Sequence, residues 1–154
     1  MTGAASGFTA RTGHEPPEQL TPAFTAARPG QVAQAWQSLL QIRRLTRPDH
    51  PELPAAWERT RPLQAVGLAL EAEGLPFAAV DAEGAVLDSG LQLTQEQPGV
   101  VRAEWAHRRG DRPPDAGESQ LRTAAAAAGH AGWDALLYRA GRARYLLIEP
   151  GRTT

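Results

Sequence analysis

The stretch ESQLRTAAAAAGHAGWDALLYRAGRARYLLIE, residues 118–149, decides the fold class. Its first part carries Leu121 and a run of alanines and stops at Gly129. It therefore reads as a helix over 118–128, slim enough to lie close on a sheet. Two apolar segments, 133–139 and 144–149, flank Ala140-Gly141 and read as a hairpin. Tyr145-Leu146-Leu147-Ile148 is apolar on both faces, which predicts a covered central strand. A helix delivered onto a two-strand unit makes the class α+β.

Working towards the N-terminus, Val100, Arg102, Glu104 and Ala106 alternate with Val101, Ala103, Trp105 and His107, a third strand with Val101 and Trp105 inward. Residues 92–98 read as a polar loop. The segments 77–81 and 85–89, around Ala82-Glu83-Gly84, read as another hairpin. Before it, Thr60 as N-cap, Pro62 in the first turn, and Gly74 followed by Leu75-Pro76 punctuate a helix whose inner face is Leu63, Val66 and Leu70. Residues 55–59, with Trp57, make a bridging turn. An earlier helix over 31–45 presents Val32, Ala35, Trp36, Leu39 and the stem of Arg43 on one face.

Residues 1–29 are rich in Gly, Ala, Thr, Ser and Pro without apolar period and read as a disordered leader, in which Phe8, Leu20 and Phe24 are candidates for docking. The expectation is one α+β domain over 30–150, in the order α-α-β-β-β-α-β-β, with two N-terminal helices, a five-stranded mixed sheet and a short tail at 151–154.

Composition excludes more than it assigns. All 16 basic residues are arginine, net charge is -1, and Lys, Asn and Cys are absent. Without lysine there is no Schiff-base, phosphate-loop or general-base lysine. Lack of cysteine removes thiol nucleophiles, disulfides and thiolate metal sites. His14, His50, His107 and His130 lie far apart and lack metal-pair spacing, so no metal is expected. No serine sits in a nucleophile elbow, and neither GxGxxG nor a phosphate loop occurs, so no catalytic residue and no cofactor are assigned. Asp81, Glu83 and Asp88 surround the first hairpin, where turn solvation accounts for them. With no signal segment and no apolar run of about 20 residues, a cytoplasmic protein without membrane contact is the expectation.

One constellation stands out. A right-handed crossover through the 118–128 helix makes the third and fourth strands parallel, with their C-terminal ends at one edge of the sheet. That gathers Arg108, Arg109 and Arg112 with Arg139, Arg142 and Arg144, next to the N-terminus of the helix near Gly117. Arginine forks and helix N–H groups bind phosphate or carboxylate. Asp111, Asp115 and Glu118 lie in the same region and offer those arginines partners within the chain.

The helix at 118–128 followed by a hairpin resembles in outline the recognition helix and wing of a winged-helix DNA reader, although it offers only Gln120, Arg122 and Thr123 to base edges. A leading helix, three strands, a helix and two strands resemble the secretion-chaperone fold, without its final helix. The hairpin at 77–90, then a helix and a hairpin, is similar to roadblock-type dimerisation modules, apart from the extra strand at 100–107. Both resemblances lie in topology only and imply a non-enzymatic module that dimerises or docks a protein partner. The alternatives are nucleic-acid or anion binding through the arginine cluster, and an unrecognised enzyme.

Overall fold

The computed structural model describes residues 8–111 and 114–152. Its helices are α1 (Pro22–Thr46), α2 (Ala56–Thr60), α3 (Pro62–Ala72) and α4 (Glu118–His130). The strands are β1 (Ala79–Val80), β2 (Val86–Asp88), β3 (Gly90–Gln97), β4 (Val100–Ala106), β5 (Trp133–Ala140) and β6 (Ala143–Pro150).

Alternation builds the main sheet. Leu91, Leu93, Val101, Ala103, Leu146 and Ile148 are fully buried, and their sequence neighbours point to the other face. The strand order is β3-β4-β6-β5, and every pair in it is antiparallel. The α+β class holds, but the five-stranded mixed sheet does not: there is a four-stranded antiparallel sheet and a separate two-stranded one, β1-β2. The chain just before β1 does touch the main sheet, through one parallel bridge from Phe77 to Leu91. The expected polar loop at 92–98 is most of β3. Its Gln92, Thr94 and Glu96 are the outward half of an alternation whose inward half is Leu91 and Leu93.

Helices α3 and α4 cover one face of this sheet. In α4, Leu121, Ala124, Ala127 and Ala128 are buried, and the small alanines allow close approach. Each large apolar side chain of this core, such as Leu93 or Ile148, contributes about 1.5–3 kcal/mol by leaving water. Helix α3 is buried on its far side as well, where Leu68 meets Val32 and Leu39 of α1, together with Ala10. Thr60 does not cap α3; it ends α2, and its hydroxyl donates to the Trp57 carbonyl at 2.9 Å. Among the described residues no helix is long and apolar enough to cross a membrane.

The N-terminal expectation is corrected most. Helix α1 begins at Pro22, not near Gln31, so the expected boundary at residue 30 falls inside it. Thr21 caps it by accepting the Phe24 N–H at 3.1 Å, Pro22 fits the first turn, and the helix runs through Pro29. Residues 8–20 lie against the body. Phe8 and Phe24 flank the Arg28 guanidinium at 4.6 and 5.2 Å, and Arg28 donates to Glu71 of α3 at 2.5 and 2.7 Å. Thr12 and Gly13 reach β3: the Thr12 carbonyl accepts from Leu93 N–H at 2.7 Å and the Gly13 carbonyl from the Gln92 amide at 3.1 Å. Tertiary hydrogen bonds of this kind leave no periodic trace in the local sequence. The part of the leader at 1–7 lies outside the described residues.

Candidate functional site

Strand direction locates the arginines. β4 and β5 are each antiparallel to β6, which lies between them, so they run the same way and end at the same edge of the sheet. The loop bearing Arg108 and Arg109 and the hairpin carrying Arg139, Arg142 and Arg144 therefore share one end; Arg112 lies outside the described residues.

The chemistry at that end is largely internal. Glu118, the first residue of α4, accepts from Arg122 at 2.8 Å, Arg139 at 3.1 Å and Arg144 at 3.2 Å. The Arg122 hydrogen bond, aided by Arg139, holds the Glu118 carboxyl below its ordinary range against a smaller opposing push from burial. Arg108 pairs with Asp111 at 2.9 Å. The helix N–H groups expected to greet an external anion meet Asp115 instead. Its carboxylate accepts from Gly117 N–H at 3.1 Å, Ser119 N–H at 2.9 Å and the Ser119 hydroxyl. The hydroxyl bond, followed by the Ser119 N–H bond, keeps Asp115 below the usual aspartate range. Only Arg109 and Arg142 of the expected cluster are exposed without an ion pair among the described residues.

Among the described residues no helix covers the other face of the sheet, and the centre of its β5–β6 half is unexpectedly apolar. β6 is the central strand its composition predicted, but it is covered on one side only. Cross-strand neighbours on the open face are Leu136 with Leu147 and Tyr138 with Tyr145. The tyrosine rings stack at 5.5 Å, and Arg102 of β4 lies 3.7 Å from the Tyr145 ring centroid, flanked by Glu104 at 3.5 Å and Glu96 at 3.8 Å. Leu136 is 61% exposed and Tyr138 39%.

The two edges of this sheet differ. At β3, Leu93 N–H donates to Thr12, Leu91 N–H donates to the Pro76 carbonyl at 3.0 Å, and the Leu91 carbonyl accepts from Ala78 at 3.0 Å. At β5, no backbone bond leaves the outer side of Trp133–Ala140 among the described residues; its ladder is with β6 alone. The segment WDALLYRA contains no proline to block pairing, and its charged residues are Asp134 near one end and Arg139 near the other. Gly141, with φ 61°, stands at the first position of a two-residue turn that keeps this hairpin in register to its tip.

A further feature was not foreseen. Arg43 and Glu58, 2% and 0% exposed, form a bidentate pair at 2.8 and 2.7 Å inside the helical layer. Arg43 also donates to the Ala131 carbonyl at 2.7 Å, two residues before β5, and Glu58 accepts the Ala55 N–H at 2.9 Å. An arginine on the apolar face of α1 was the available signal, since a buried guanidinium requires a carboxylate. Its partner, Glu58, lay in a segment read as a turn.

No protein-family model matches the chain, and no curated protein or solved structure matches it either.

Proposed function

We propose that the protein is a non-enzymatic docking module that dimerises through β5, two copies pairing this strand antiparallel across a two-fold axis into a continuous eight-stranded sheet. The bare outer edge of β5 carries the reading. An eight-residue strand without proline or, among the described residues, an outer hydrogen-bond partner is a template for another strand, and most folds take care to block it. The occupant is a second copy because antiparallel pairing about a two-fold axis satisfies both edges at once and leaves none open.

Charge polarity along the strand agrees. At one end of the open face Asp134 sits directly opposite Glu149, like charges with no ion-pair partner among the described residues. At the other end is the arginine-bearing tip with Arg142. Reversing one copy against the other brings the acidic end of each β5 towards the basic tip of its partner. The apolar centre, Leu136 and Tyr138, falls in the middle of the joint.

Light scattering and sedimentation over a concentration series test this. The expected result is a reversible dimer in which β5 amides exchange slowly. Leu136→Lys, a change at an already exposed position, gives a folded monomer with fast exchange in β5. A wild-type chain that stays monomeric at every concentration overturns the reading, as does a dimer indifferent to Leu136→Lys.

A further inference from the structure

We propose that the cleft between the α1–α2 connection and the end of β6 binds a small phosphate-bearing anion. It is lined by Arg47, Leu53, Arg59, Glu149, Pro150, Gly151 and Arg152 and holds about 380 Å³. This is the opposite end of β6 from the hairpin tip, so it shares no residue with the arginine cluster expected from the sequence.

Three guanidinium groups and one carboxylate give the lining a formal charge of +2, the complement of a phosphate dianion. Among the described residues, none of Arg47, Arg59, Arg152 and Glu149 is in an ion pair. The connection holds two further carboxylates outside the lining, Asp49 and Glu52, and Glu52 lies 3.3 Å from the His50 ring nitrogen. The cations are therefore not neutralised by salt bridges, unlike those around Glu118.

The scaffold beneath is rigid. Arg43 precedes Arg47 by four residues on α1, and Glu58 directly precedes Arg59 on α2. The buried Arg43–Glu58 pair thus sets the spacing of the two cleft arginines, as a buried ion pair does when it specifies register. Arg47 also donates to the Pro54 carbonyl at 2.9 Å, which fixes its stem across the connection and leaves its other N–H groups free for a ligand. Leu53 and Pro150 supply an apolar wall, and the volume lies at the small end of the range for ligand sites, about 300–1,000 Å³. A phosphomonoester with a short organic tail fits it better than bare phosphate.

Amide-resolved NMR titration of the full chain with inorganic phosphate, glycerol phosphate and, at matched ionic strength, sodium chloride tests the site. The expected outcome is saturable shifts over 47–59 and 149–152 with both phosphates, tighter for the monoester, and none with chloride. Arg59→Ala weakens binding about tenfold or more, the cost of one charge-assisted contact, and Arg59→Ala with Arg152→Ala abolishes it. Both side chains are exposed, so these variants leave the core intact. Arg109→Ala with Arg142→Ala leaves phosphate binding unchanged. Shifts that chloride reproduces, or binding that survives the Arg59/Arg152 double variant, overturn the proposal.

Discussion

Along the first half of β3 the outward backbone groups of Leu91 and Leu93 are taken up by chain from elsewhere, by Thr12 and by the segment from Pro76 to Ala78, whereas along β5 none are among the described residues. The supports differ in kind as well. The β3 edge is held from outside, by an N-terminal clasp whose turn is tied to the Glu15 carboxylate at Thr12, where it accepts from N–H and hydroxyl, and at Gly13 N–H. The β5 edge is held from behind, by the buried Arg43–Glu58 pair reaching Ala131 just before the strand. One sheet thus has an edge covered over residues 91–93 and, among the described residues, an edge bare along its whole length. The lesson is that edge protection is tertiary: a strand is made safe or available by what the rest of the chain brings to it.

The largest expected effect comes from removing the support behind β5. Glu58→Ala leaves a buried guanidinium unpaired and lowers stability by about 3–5 kcal/mol, read from urea denaturation. An apolar double replacement, Arg43→Leu with Glu58→Leu, recovers most of that loss. If Glu58→Ala proves neutral, the pair does not anchor the β5 side.

The clasp is broken next. Gly13 has φ +87°, and a Cβ placed there would lie 2.0 Å from the Leu91 carbonyl oxygen. Gly13→Ala expels the clasp, with a loss of about 2 kcal/mol. It also frees the Leu93 N–H and lengthens the uncovered part of the β3 edge, so association beyond a dimer appears in light scattering. A variant that keeps both the melting temperature and the assembly state of the parent would show that the two edges are not distinguished by the clasp.

Acid sharpens the same contrast more gently. Burial pushes the Glu15 carboxyl up, but the Thr12 and Gly13 N–H groups, the Thr12 hydroxyl and Arg11 outweigh it and hold it below the ordinary glutamate range. The folded state therefore holds this proton less tightly than the unfolded chain does. Its contribution is complete above the ordinary range and disappears as pH falls through the lowered folded value. The protection factor of Leu93 N–H, the donor to Thr12, taken relative to the intrinsic exchange rate at each pH, should fall in that acid window in the parent, and Glu15→Gln should flatten the dependence.

Glu118→Gln has the smallest effect on stability, since its pairs are at the surface. It releases Arg139 and Arg144 and raises the net positive charge at the hairpin tip by one. Retention on immobilised nucleic acid at low salt is expected for this variant and not for the parent, with a steep loss as salt rises.

Much of the local structure was legible because its signals are local. The turn at Ala82-Glu83-Gly84 is closed by Asp81, whose carboxylate accepts from Glu83 and Ala85 N–H at 2.9 and 2.8 Å, so the turn reading of that residue was sound. The hairpin around Ala140-Gly141 and the apolar centrality of β6 also follow from spacing and composition. The start of α1 was legible but overlooked: Thr21-Pro22 carries the same cap-and-proline punctuation that was read near Thr60-Pro62, with Pro29 downstream masking it.

What the sequence by itself determined is the class, α+β, the presence of the 118–130 helix and the hairpin after it, and the chemistries ruled out by missing lysine and cysteine. Tertiary structure alone decided which chain segment closes β3, which side of β6 is left bare, and which carboxylate each arginine meets. The reason is that periodicity reports whether a face is apolar, but not whether anything covers it. A formal charge likewise becomes a free or a neutralised cation only when the fold chooses its neighbour, as Glu118 does for Arg139 and Arg144, and as no carboxylate does among the described residues for Arg59 and Arg152.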